Sequence, residues 1–118
     1  MVNIEVLDKA LDWIEKNPDQ HRQSVWFQRT DCGTGMCLAG VVATQHGWTP
    51  DWSAGRLSGY GEETSLVMKG DDYGKVSSVA RGLLGLELED SELLFDAENS
   101  LDDLKAMRDD LAAGHSLS

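Results

Sequence analysis

The run Met36-Cys37-Leu38-Ala39-Gly40-Val41-Val42-Ala43 is apolar on every side. A helix of that composition has no face to offer water, so the rest of the chain has to wrap it. The run therefore predicts a buried central helix over about residues 34–46, with every other element arranged around it. Ala39, Gly40 and Ala43 are small enough to admit close neighbours. Asp31 or Thr34 is placed to cap its start, and Gly47 suits the left-handed position beyond its end. On this reading Asp31-Cys32-Gly33-Thr34 is the opening of the core helix.

The wrapping elements are mostly helical in their spacing. Ile4, Leu7, Leu11 and Ile14 recur at helical intervals, Asn3 can cap the start and Pro18 ends the element. Val25-Trp26-Phe27 sits in a connector over 19–29 and is too short for periodicity to tell an extended segment from a helical turn. Residues 48–61, rich in breakers, read as a loop held down by Trp48 and Trp52. Ser65–Lys69 and Lys75–Ser78 flank a glycine-bounded loop and predict one small β-hairpin over about 65–78. A helical stripe from Val76 to Leu84 stops at Gly85. Leu88 to Phe95 reads as a short helix with Leu93, Leu94 and Phe95 inward. Ser100-Leu101-Asp102-Asp103 approximates a capping box opening a last helix that ends before Gly114. The fold class is α+β, mostly α: four or five helices around the central one, with a single hairpin at the side.

At 118 residues the chain fits one domain, large enough to fold without metal or disulfide staples. Residues 1–114 are read as that globular domain and 115–118 as a flexible tail. The start Met1-Val2-Asn3-Ile4-Glu5 lacks the basic and apolar regions of a secretory leader, and no apolar run approaches the ~20 residues that span a bilayer. A cytoplasmic location and no membrane partner are expected, with both cysteines reduced.

Charge narrows the partners. The net charge is −11, from 21 acidic and 10 basic residues, which opposes attraction to phosphates and argues against direct nucleic-acid binding. From Glu87 to Asp110 ten carboxylates face only Lys105 and Arg108. A solvated helical face explains this most simply, while a surface that docks a basic partner or imitates DNA is the functional alternative.

The order of these features resembles a family of short uncharacterised proteins encoded by actinobacteria and their phages. The matching residues are Cys32-Gly33-Thr34, Cys37, Ala39-Gly40, Leu83-Leu84-Gly85-Leu86, Leu94-Phe95 and Asn99-Ser100-Leu101-Asp102-Asp103-Leu104. They cover nearly the whole chain. The resemblance implies a bacterial or phage-infected cytoplasm and carries no activity with it.

Catalytic constellations are incomplete. A thiol at a helix start has its pKa lowered, so Cys32 is the candidate nucleophile of a cysteine hydrolase, and Asp31-Cys32-Gly33-Thr34 is similar in outline to the nucleophile turn of NlpC-like peptidases. Such enzymes present a His base on a downstream strand. Here His46 lies at the far end of the same helix, roughly 18 Å away over about twelve residues, and His115 is in the tail. Cys32 and Cys37 read more simply as small buried residues. Their spacing with His21 and His46 fits no tight zinc knuckle, and no metal or cofactor is expected. Gly33 and Gly35 lack the Lys and spacing of a phosphate loop. The reading is therefore a small acidic, non-enzymatic protein-binding module, such as a phage-encoded modulator of a host factor, with Trp48, Trp52, Glu92, Asp102 and Asp103 as contacts. The alternatives are a hydrolase built on Cys32 and an acidic DNA mimic.

Overall fold

The computed structural model describes residues 2–30, 33–58 and 61–117. Among them are five α-helices and seven short strands, with one helix before the strands, one among them and the last three following them. Helix α1 runs Ile4–Lys16, opened by Asn3, whose side chain accepts from the Val6 amide at 3.2 Å. Its Leu7, Ala10, Leu11 and Ile14 are buried. Asn17 closes it by donating its side-chain amide to the Trp13 carbonyl at 2.8 Å, and Pro18 opens a 3-10 turn over Pro18–Gln20.

The central helix exists but is shorter than its sequence suggests. Helix α2 runs Leu38–Gln45, with Leu38 to Ala43 all buried. Residues 33–36 instead form strand β2 (Gly33–Met36), antiparallel to β1 (Phe27–Thr30). The expected start near 34, capped by Asp31 or Thr34, is thereby overturned. Two glycines around a β-branched Thr are weak helix formers, and pairing with β1 satisfies their backbone instead. Gly40 is needed where the connector passes close to α2: a Cβ there would lie 2.9 Å from the Trp26 carbonyl oxygen.

The single side hairpin over about 65–78 is overturned too. Two antiparallel sheets are present. Strands β4 (Arg56–Ser58) and β5 (Gly61–Thr64) complete a four-stranded sheet in the order β2-β1-β5-β4, with Phe27 opposite Thr64. Strands β3 (Thr49–Pro50), β6 (Leu66–Lys69) and β7 (Asp72–Lys75) form the second, in the order β3-β6-β7. Much of the loop expected over 48–61 is thus strand, interrupted by a 3-10 turn at Trp52–Ala54. These strands are two to four residues long, too short and polar for alternation to show.

Helix α3 (Val76–Leu84) ends at Gly85, which is left-handed at φ +70°. Helix α4 (Leu88–Leu94) buries Leu94, and Phe95 follows it into the core, but Leu93 is 39% exposed, contrary to the inward position expected of it. Helix α5 (Leu101–Ala112) carries the capping box, with the Ser100 hydroxyl accepting from the Asp103 amide at 3.1 Å and the Asp103 carboxylate accepting from the Ser100 amide at 3.0 Å. Helix α2 packs between α1 and α3, and α5 packs along α1. Among the described residues no helix is long and apolar enough to cross a membrane.

Candidate functional site

Cys32 lies outside the described residues. The helix terminus expected at Cys32 falls at Cys37, because α2 begins only at Leu38. Cys37 is buried. Burial pushes its thiol up to about 11, outweighing the neighbouring backbone amides that pull it down. A thiol held neutral in this way is not a nucleophile.

The rings of His21 and His46 are engaged in structural roles. His46 Nδ1 meets the Val42 carbonyl at 2.9 Å, so that nitrogen carries the proton. His21 Nε2 meets Gln23 Oε1 at 2.9 Å. That oxygen also accepts from the Leu38 amide at 3.1 Å, capping α2 from a distance. The Gln23 amide nitrogen donates to Leu94 O at 3.4 Å and Asp96 O at 3.1 Å, which fixes the orientation of the side chain and makes His21 Nε2 a donor. Among the described residues no three His, Cys, Asp or Glu side chains converge as metal donors.

The residues named as contacts do not form one patch. Trp48 and Trp52 are half-buried and pack onto the core. The Arg29 guanidinium lies 4.5 Å over the Trp52 ring and reaches Glu62 at 2.6 Å, so that ring face is already covered. Asp102 and Asp103 stand in the first turn of α5, and the Asp103 carboxylate is committed to the capping box. Glu92 alone among them lines a cleft.

That cleft has a volume of about 300 Å³ and lies between α3 and α4. Trp26 and Phe95 form its apolar part, meeting edge to face with centroids 6.4 Å apart. Ser77, Ser78 and Arg81 contribute from α3, and Leu88, Ser91 and Glu92 from α4. Leu88 is 53% exposed at its rim. Trp26 also borders two further clefts, one of about 170 Å³ toward Ala97 and one of about 550 Å³ toward Arg56 and Glu63. Sequence reasoning passed over Trp26 because it stands in a polar connector. The available signal was the adjacency of Trp26 and Phe27, which on an extended segment point to opposite faces. Phe27 takes the core side with no exposure, leaving Trp26 toward the cleft.

The cleft itself carries one cation and one anion, Arg81 and Glu92, and the two cations of the acidic stretch are engaged elsewhere. Lys105 reaches Glu15 at 3.0 Å, and Arg108 reaches Asp8 at 2.7 and 3.1 Å as well as Asp109 at 3.0 Å. Hydrogen bonding from Arg108 holds the Asp8 carboxyl below the ordinary carboxylate range. Both cations of the acidic stretch thus serve carboxylates of α1. Among the described residues Glu87, Glu89 and Glu92 on and before α4 receive no ion pair, and Arg81, which lines the cleft with Glu92, donates to the Leu86 carbonyl at 3.0 Å. No family model, curated protein or solved structure matches the chain.

Proposed function

We propose that this chain is a non-enzymatic protein-binding module, and that its cleft between α3 and α4 receives a partner segment with an apolar anchor flanked by Lys or Arg. The observation that carries this reading is the juxtaposition of Trp26, Phe95 and exposed Leu88 with Glu92 in the same wall. An aromatic pair at the floor of a desolvated pocket is where interface energy concentrates, and an acidic wall selects a basic flank. Among the described residues Glu92 makes no ion pair, and Arg81 across the cleft donates instead to the Leu86 carbonyl at 3.0 Å, which leaves the Glu92 carboxylate for a basic flank. A host or cellular protein met in a bacterial cytoplasm, modulated by a phage-encoded binder, is the biological form we give this reading.

Titration of the isotopically labelled protein with short Lys-flanked Leu or Phe peptides tests it. Amide and indole shifts are expected at Trp26, Ser77, Ser78 and Ser91–Phe95. Leu88→Glu should weaken binding by roughly fivefold, as loss of a rim contact worth about 1 kcal/mol does. Glu92→Lys should slow association and reduce the salt dependence. Asp103 is a poor probe, since reversing its charge also breaks the α5 cap. Shifts scattered over the molecule, or binding indifferent to Leu88→Glu, would sink the proposal. The second of these outcomes is also what a DNA mimic predicts, because it would act through carboxylate spacing alone.

A further inference from the structure

Residues 115–117 return to α4. The Ser116 hydroxyl and the Leu117 amide both donate to Asp90 Oδ1, each at 2.9 Å, and Leu117 packs against the edge of the core. The His115 amide anchors the turn on the Asp110 carbonyl at 2.9 Å. Asp90 is a buried carboxylate in the first turn of a helix of only seven residues. Removing a carboxylate from water is costly unless donors replace the water, and among the described residues the side-chain donors and amides that reach it come from this segment. The segment also lies beside the cleft. Ser116 lines a neighbouring hollow with Arg81 and Leu88, and both of those residues line the α3–α4 cleft as well.

We propose that residues 115–117 act as a clasp on Asp90 that holds α4, and with it Leu88 and Glu92, in the arrangement that receives the partner. This inference rests on the reading of the α3–α4 cleft as a binding site. A seven-residue helix has little stability of its own. Its far end is fixed by Gln23 and by Asn99, whose side-chain amide donates to Leu93 O at 2.8 Å and Leu94 O at 3.0 Å. Its near end is held by the clasp, so anything that draws the segment away from Asp90 loosens the rim that Leu88 forms.

The full chain carrying Ser116→Ala with Leu117→Pro loses both donors to Asp90 while keeping its length. Hydrogen exchange should then accelerate by about tenfold at the amides of 88–94 and stay unchanged at 38–43, as expected for a local opening. Affinity for the Lys-flanked Leu peptide should fall by about fivefold, the penalty for a binding form populated only part of the time. Ser116→Thr, which keeps the hydroxyl, should leave both measurements at their native values. Truncation after Gly114 should reproduce the double variant. Unchanged exchange in α4 overturns the clasp, and so does accelerated exchange with native peptide affinity. If the peptide binds neither protein, the proposed function fails, and the exchange data alone decide whether the clasp holds α4.

Discussion

Gln23 does the work of two helix caps with one side chain. Its oxygen satisfies the first amide of α2 and its nitrogen two carbonyls at the end of α4. Helix ends leave backbone groups without partners, and here the start of α2 takes its acceptor from 15 residues away, while the end of α4 shares Gln23 with its near neighbour Asn99. Gln23→Ala should therefore cost about 1 kcal/mol, because it leaves the part-buried Leu38 amide without its acceptor while Asn99 still serves the Leu94 carbonyl. Urea unfolding reads this as a lower midpoint at unchanged slope. Gln23→Glu keeps the acceptor for Leu38 but turns carboxylate oxygen toward two carbonyls, so it should not rescue. Nothing in the local sequence signals this role. Gln23 stands in a polar connector, and its partners are 71 and 73 residues away along the chain.

Elements were legible in proportion to how local their causes are. Helices α1, α3 and α5 follow from apolar spacing and from caps a few residues away, and the Ser100–Asp103 box was readable as such. Ser100→Ala should lower stability by about 1 kcal/mol, whereas Asp102→Ala on the same turn should stay within about 0.5 kcal/mol, because only the first removes a cap. Thermal unfolding of the two variants side by side checks the contrast. The strands were not legible for the opposite reason. Gly33-Thr34-Gly35 and Gly61-Glu62-Glu63 carry no alternation, and they become strands by pairing with Phe27–Thr30 between them and, for the second, with Arg56–Ser58 as well. Their pairing is a tertiary fact that no short window contains. The same cause shortened α2, whose apolar run was correctly seen as buried while its first turn went to β2. Of the candidate site, Glu92 alone was visible beforehand. Trp26 and Phe95 meet across the fold and could not be paired from spacing.

At the scale of the whole molecule, charge organises how the helices meet. An excess of carboxylates repels itself, and the pairs Asp8–Arg108 and Glu15–Lys105 relieve that repulsion along the α1–α5 seam. Hydrogen bonding from Arg108 lowers the folded-state pKa of Asp8 below its ordinary value of 3.8. A carboxyl with a depressed folded pKa contributes stability that is present above its unfolded pKa and disappears as pH falls through the folded one. Asp8→Asn should therefore be less stable than the parent at neutral pH, and the gap should close as pH falls through the depressed folded-state pKa of Asp8. Thermal midpoints of the two proteins across pH 2 to 7 give the measurement, and a gap that persists in acid would contradict the assignment. Added salt should narrow the gap at neutral pH, since both partners are part-exposed.

The same seam has a topological consequence. Residue 8 faces 108 and residue 15 faces 105, so α1 and α5 run in opposite directions. The first turn of one lies at the same end of the molecule as the last turn of the other, and the polypeptide is nearly a closed ring. The order in which the elements are strung is therefore separable from the way they pack. The ring can be joined there and cut at the exposed Gly70-Asp71 turn between β6 and β7, giving a circularly permuted chain with the same helix contacts.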